Sequence, residues 1–521
     1  VTPAGRVLRS SISLVAVLMF AVAGLPVAAA DSPSSGSDVS VAQTIGDREL
    51  TVVLRRVTSV PGPLRVEVVT HTGTPAGRLA LAAIPSGATA RSSDLPPAGV
   101  PTSRGDIDLG STPGMYATDL TVNRPGPWEL TVGDGARVAR IPFVVFEQAT
   151  SPPERLVYGG FLAAGVLLPV SAVVALRARR TAWALVPAGG VVAGVAVAVA
   201  AALLSVSLPL PPQPGVQLDP DVDNATDPYE LGQPLLSDFS RPPVMLAVEN
   251  GASAVGQAGD LRLVVTDAAT GALADDLMVH DSALMHLLVI GPTGELRHLH
   301  PIRTAPGRYE AHLTPSTPGH YAVSAELARR GGGVQMVRAA TGFTVDPGPA
   351  VAQVNPLRLG ADTTASIVVE STPVTVTNTP ARAGTPVTLT ARFGDAADLQ
   401  PWLGMVGHMI VAGPITADTD IGAAVQDSTV WGHAHSMGGG AMLMQPVNGE
   451  SAPDETVAAY GPEVPFTYTF PKPGRYRLWI QAERNYTVLT VPIVLDVAPA
   501  STPPIPQPES GGHHGIHGAP R

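Results

Sequence analysis

Three stretches of the chain alternate apolar and polar positions with the two-residue period of half-buried strands. Residues 45–147 hold LTVVLRRV, LRVEVVTH, GRLALAAI, YATDLTV, WELTV and RIPFVVF, separated by turn signals such as PGP, TGTPAG and RPGP. Residues 243–346 hold VMLAVEN, DLRLVVTD, GRYEAHL, GHYAVSAEL and TGFTVD around a histidine-rich stretch. Residues 366–498 hold PVTVTN, PVTLTARF, GHMIVAG, VPFTYTF, GRYRLWIQA and TVPIVLDV. Short strands at this spacing predict immunoglobulin-like β-sandwiches. GMYATDLTVNRPGPWELTV, GRYEAHLTPSTPGHYAVSAEL and VPFTYTFPKPGRYRLWIQA echo one another, so the expectation is three copies of one sandwich, at 31–150, 243–347 and 366–498.

Elsewhere the apolar positions run on without alternation. Arg6 and Arg9, an apolar run from Ile12 to Leu25, and Ala28-Ala29-Ala30 before Asp31 read as a secretory signal at 1–30. Residues 31–40 then read as a disordered spacer. Leu156–Leu176 and Ala182–Leu208 are each long enough to cross a hydrocarbon core of about 30 Å. Arg177, Arg179 and Arg180 between them place that loop in the cytoplasm, and both flanking soluble parts outside. Gly189, Gly190 and Gly194 suit close helix packing. The Pro- and Asp-rich 209–242 reads as an extended linker; its aspartates lack the Gly and distal Glu of a calcium loop. Residues 499–521 read as a disordered tail carrying His513, His514 and His517.

The candidate chemistry lies in two predicted hairpins. In HDSALMHLLVIGPTGELRHLHP, an apolar strand, a Gly-Pro-Thr-Gly turn and a returning strand put His298 and His300 on one face. One register brings His286 beside them, and a one-residue slip brings Met285. The third unit repeats the arrangement: His408 in MVGHMIVAG matches His286, and His433 and His435 in WGHAHSM match His298 and His300. The separation grows from 12 residues (286 to 298) to 25 (408 to 433), absorbed by the insertion ITADTDIGAAVQDSTV. Met405, Met409 and Met437 add thioether. Imidazole suits copper, zinc and nickel; thioether tilts the choice toward copper, and three imidazoles alone suit Cu(II) and Zn(II) equally. The plain alternative is a structural hairpin duplicated with its histidines.

Composition narrows the classes. The 521 residues contain no cysteine, which excludes disulfides, thiolate zinc sites, iron–sulfur clusters and cysteine nucleophiles. The net charge of −11 argues against nucleic acid as a partner. No GxSxG motif appears and no carboxylate sits at an obvious base position, so an enzyme is not expected.

The hairpin pattern of a histidine-led strand followed by HxHP, with DLQPWLGMVGHMIVAG and FTYTFPKPGRYRLWIQAERNYTVLTVPIVLDV, resembles bacterial secreted β-sandwich domains of the FixH/YtkA-like and CopC-like type. The resemblance spans 243–498 and implies extracytoplasmic handling of copper or another heavy metal by His286, His298, His300, His408, His433 and His435. HAHSM lacks the proline of HLHP. A chain cut after Ala30 begins with aspartate, so the N-terminal histidine used by CopC-like proteins is not implied. The expected function is a membrane-anchored metal chaperone, buffer or sensor, with a copper ion or zinc as cofactor and a metal transporter or other envelope protein as partner. The alternative is a structural or partner-binding envelope protein without metal.

Overall fold

The computed structural model describes residues 38–86, 99–145, 152–177, 181–205, 241–251, 254–329, 332–348, 355–436, 455–458 and 460–500. The expected signal, almost all of the linker and nearly the whole tail lie outside the described residues. The chain is mainly β: three immunoglobulin-like sandwiches and a pair of apolar helices.

Sandwich 1 packs two four-stranded antiparallel sheets. Its first strands are β1 (Val39–Ile45) and β2 (Arg48–Leu54). β1 starts inside the stretch expected to be a spacer, because Val41 and Ile45 are drawn into the core. The two helices are α1 (Pro152–Arg177) and α2 (Leu185–Ser205), long and apolar enough to cross a membrane. They touch through small residues: a Cβ at Gly160 would fall 2.5 Å from the Gly194 carbonyl oxygen. Of the three expected packing glycines, Gly190 and Gly194 face α1, while Gly189 has nothing within 4 Å.

Sandwich 2 carries its histidines on the predicted hairpin, β3 (His286–Ile290) and β4 (Leu296–Leu299), with β5 (Gly319–Arg329) on the other side of β3. Leu288 lies opposite His298, so His286, not Met285, shares the face of His298 and His300. Met285 turns into the apolar core with Leu287 and Val289. Sandwich 3 begins earlier than expected, with strands Leu357–Leu359 and Thr364–Val369. Its histidines lie on β6 (Gly407–Ile415) and β7 (Val430–Ser436), and β8 (Gly474–Arg484) flanks β6. Met409 and Val411 point into the core of this sandwich, leaving His408, Ile410 and Ala412 on the opposite face.

Those opposite faces meet. Leu288, Ile290, Ile410, Ala412 and Trp479 form one apolar patch between sandwiches 2 and 3. The insertion of the third unit closes this joint. Its short helix α3 (Ile421–Gln426) lies on sandwich 2, where the Ile421 N–H donates to the Pro292 carbonyl at 2.7 Å. Gly422 is required there, because a Cβ would sit 1.9 Å from the His320 oxygen. The Trp479 indole donates to the Gly294 carbonyl at 2.9 Å across the same joint. Sandwich 1 docks at one end: the Ala42 N–H donates to Ser282 O and the Thr44 N–H to His300 O, both at 2.7 Å. Ala42, Ala283, Trp402 and Leu403, drawn from all three sandwiches, pack together at this corner.

Candidate metal centre

The six hairpin histidines come together where the three sandwiches meet. Ligand atoms of His286, His298 and His300 all lie within 4.8 Å of one another, and so do those of His408, His433 and His435. The two triads repeat the same construction. His286 Nε2 lies 3.1 Å from the His280 carbonyl, and His408 Nε2 lies 3.1 Å from the Trp402 carbonyl. A carbonyl only accepts, so Nε2 carries the proton in both rings and Nδ1 keeps its lone pair. Those carbonyls sit at the starts of matching tight turns, His280–Ala283 and Trp402–Met405. Asp281 (φ 47), Ser282 (φ 59), Leu403 (φ 55) and Gly404 (φ 76) all adopt the left-handed conformation there. Three non-glycine residues in that region are unfavourable locally and persist because the surrounding structure holds them.

The second donor of each triad faces the first. His298 Nε2 is 3.2 Å from His286 Nδ1, and His433 Nε2 is 3.2 Å from His408 Nδ1. His298 Nδ1 donates to Gln481 Oε1 at 2.9 Å, which leaves its Nε2 unprotonated. Two lone pairs then confront each other at 3.2 Å. Two nitrogens on a tetrahedral ion with bonds of about 2.0–2.1 Å stand roughly 3.3 Å apart, so this spacing suits a shared cation. In the other triad, His433 Nδ1 points at the Glu326 carboxylate at 3.4 Å. The third donors complete the pattern. His300 Nδ1 bonds the Glu49 carboxylate and His435 Nδ1 meets Asp281 at 3.2 Å, while both Nε2 atoms are buried without a partner. Each triad therefore offers Nδ1, Nε2 and Nε2, with the other ring nitrogen held from behind, as metal-binding imidazoles are oriented by outer partners.

The supports cross between domains. Gln481 of β8 backs a histidine of sandwich 2, Glu326 of β5 backs one of sandwich 3, and Glu49 of β2 comes from sandwich 1. Sequence reasoning assigned sandwich 1 no site and did not identify these residues. The signal was present: in the aligned strands GHYAVSAELAR and GRYRLWIQAER, Glu326 and Gln481 occupy the same position amid apolar neighbours. His71 of sandwich 1 is also buried, and its ring bonds Glu483 of sandwich 3 at 2.6 Å.

Burial, reinforced by the neighbouring rings, holds His286, His298 and His408 well below the usual imidazole pKa, and takes His435 down to about 4. Neutral imidazole, the ligating form, is thus favoured. His280 behaves oppositely: bonds to Asp281 and Glu326 raise it to about 9. It is an imidazolium that steadies the carboxylates behind the second triad. Trp402 meets His298, His300 and His408 in T-shaped contacts and closes one side. His435 has 17 % of its side chain exposed and marks the open side.

The methionines do not follow. Met285 and Met409 face the sandwich cores, since strand alternation sends each residue next to a face-bearing histidine the other way. Met405 is buried in the turn before β6, its backbone paired with that of Trp402. Met437 lies outside the described residues.

A family model described as a domain of unknown function (DUF8832) matches residues 367–499, nearly the whole of sandwich 3. A comparison with curated proteins finds no match. Among solved structures, the chain is similar to a tetra-tandem repeat in the extending region of a large adhesion protein. The TM-score is 0.16 at 10 % identity, covering 88 % of this chain and 74 % of that one. The Escherichia coli adhesin FdeC gives 0.14 at 11 % identity, covering 89 % and 98 %. A putative membrane anchored protein from Corynebacterium diphtheriae gives 0.13 at 10 % identity, covering 90 % and 98 %. Likenesses this weak carry no functional meaning.

Proposed function

We propose that the chain is a membrane-anchored protein whose soluble sandwiches bind a borderline divalent metal ion, Cu(II) or Zn(II), outside the cytoplasm. One observation carries the reading: two hairpins present the same Nδ1, Nε2, Nε2 donor set, with ring nitrogens facing each other at 3.2 Å in each. A duplicated structural hairpin has no need to bury six imidazoles with their free nitrogens facing one another, because such groups destabilise a core unless satisfied. With Met285 and Met409 in the cores, thioether no longer tilts the choice toward copper, and imidazole alone selects among the ions. Glu49, Glu326 and Asp281 are each turned to an imidazole, so among the described residues no free carboxylate stands by as a base for a metal-bound water. Binding, not turnover, is the reading. Each triad comes from one sandwich but is oriented by side chains of its neighbours, an enclosure that suits a sensor or buffer better than a fast-exchanging carrier.

The test is calorimetric titration of the full chain in detergent micelles with Zn(II) and Cu(II). His513, His514 and His517 are replaced by alanine so that the tail contributes nothing. The expected result is an ion retained through desalting, and loss of that ion in the His286→Ala, His408→Ala double variant. Equal, weak binding by both proteins defeats the reading. It leaves an anchored string of β modules acting as spacers or docking surfaces.

A further inference from the structure

The two triads are not separate sites. Within each, ring centroids stand 4.4–5.4 Å apart. Between them, His286 and His298 lie 5.1–6.4 Å from His408 and His433, nearly the same spacing. Imidazole faces imidazole, and the apolar patch of the joint begins only beyond them, at Leu288 and Ile410. Stacking two outward sheet faces brings the equivalent hairpin ends together, so each triad forms one wall of the other.

The charge around this cluster fits more than one cation. Six imidazole donors are backed by the carboxylates of Glu49, Glu326 and Asp281. One dication does not use all six donors in the tetrahedral geometry that the 3.2 Å edges describe; three remain, arranged identically. We infer that the cluster binds two metal ions as one coupled dinuclear centre, one ion per triad, with His286, His298, His408 and His433 forming the shared middle. This rests on the metal-binding reading above. Like charge at such short range makes the second ion bind more weakly than the first, by at least tenfold.

Cu(II) is the probe, added to the full chain in detergent micelles with the three tail histidines replaced, and followed by electron paramagnetic resonance. The first equivalent is expected to give the signal of an isolated ion. The second is expected to bind without a matching rise in integrated intensity, or to bring a half-field transition, because the two spins couple. His300→Ala and His435→Ala each remove one outer donor and are expected to return the protein to one tightly bound, uncoupled ion. His435→Gln, which keeps most of the volume, is the check that loss of the second ion is not loss of fold, with circular dichroism alongside. Binding that stops at one ion, or a second ion adding a full isolated signal, overturns the pair while leaving metal binding intact. No binding at all overturns the function proposed above instead.

Discussion

Replacing His433 by leucine should raise stability without metal and lower it with metal. The side chain of His433 is fully buried. Its Nδ1 points at the Glu326 carboxylate from 3.4 Å, a long contact that keeps the proton on Nδ1, and its Nε2 then faces the lone pair of His408 at 3.2 Å. Leucine is close in volume and joins the apolar face that Ile410, its partner across the ladder, already builds. Glu326 keeps His280. His408 Nδ1 loses nothing, since a lone pair was never its partner. Leaving a buried polar atom unsatisfied costs about 1–3 kcal/mol, and the variant removes that cost. The metal-free gain is therefore about 1–2 kcal/mol, or roughly 2–8 °C in Tm for a unit of this size. An ion at a hundredfold excess over Kd contributes about 2.7 kcal/mol, and the variant forfeits it at the second triad. The order of stabilities thus inverts between chelator and metal. Thermal unfolding of the full chain in micelles, followed by circular dichroism in the β-sheet region, reads both conditions. A variant that melts below the parent in chelator, or gains as much from metal, refutes the reasoning.

Four further outcomes are expected. Glu49→Gln weakens ion binding at the first triad about 10- to 100-fold in titration calorimetry, since it removes an outer-shell carboxylate. Zinc is retained to about pH 5, because burial keeps His286, His298 and His408 neutral and His435 titrates only near 4; release centred near the unperturbed value of about 6.5 contradicts this. Stability falls from about pH 6.5 to 9, above the range in which the buried histidines, held neutral when folded, raise it. Burial raises Glu455 to about 7, so its ionisation opposes folding increasingly from the unfolded value up to 7. Although burial opposes it, the bond to Glu483 raises His71 to about 9, and that contribution is lost as pH rises through 9. Glu455→Gln should steepen the rise of Tm with pH below about 7, since it removes a contribution that opposes the histidines there. Finally, a chain with no native cysteine permits clean sidedness mapping. Asp395→Cys, at a side chain 97 % exposed, should react with an impermeant thiol reagent on intact cells, and Ala178→Cys should not.

Strand alternation made half of the centre readable. His298 and His300, and likewise His433 and His435, sit two apart and so share a face. What alternation left open was the choice between His286 and Met285, because a one-residue slip exchanges them. The ladder partner of Leu288 decides that, and it depends on how the Gly291–Gly294 turn closes. The joint between sandwiches was hidden for another reason. Leu287 to Ile290 and Met409 to Ala412 are apolar on both faces, and an apolar residue does not announce whether it faces its own sandwich or a neighbour. The insertion looked like slack between two strands, yet Ile421 and Gly422 are docking residues. The carboxylates were missed because Glu49 belongs to a different repeat, more than two hundred positions from the histidine it orients.

The contacts made by sandwich 1 also bear on the membrane helices. Sandwich 1 precedes α1 and the other two follow α2, yet Glu49 reaches His300 and His71 reaches Glu483. These contacts require both soluble parts to lie on one side of any bilayer the helices cross. An even number of spans meets that requirement and a single span does not. Close packing of Gly160 on Gly194 is what an antiparallel pair joined by a short connection needs. An ion seated in the centre stiffens a joint to which the N-terminal sandwich, on the far side of the helical hairpin, also holds by Glu49. On the proposed metal-binding reading, occupancy is thereby linked to the spacing of the hairpin's two outer ends, a physical route from the centre to the membrane.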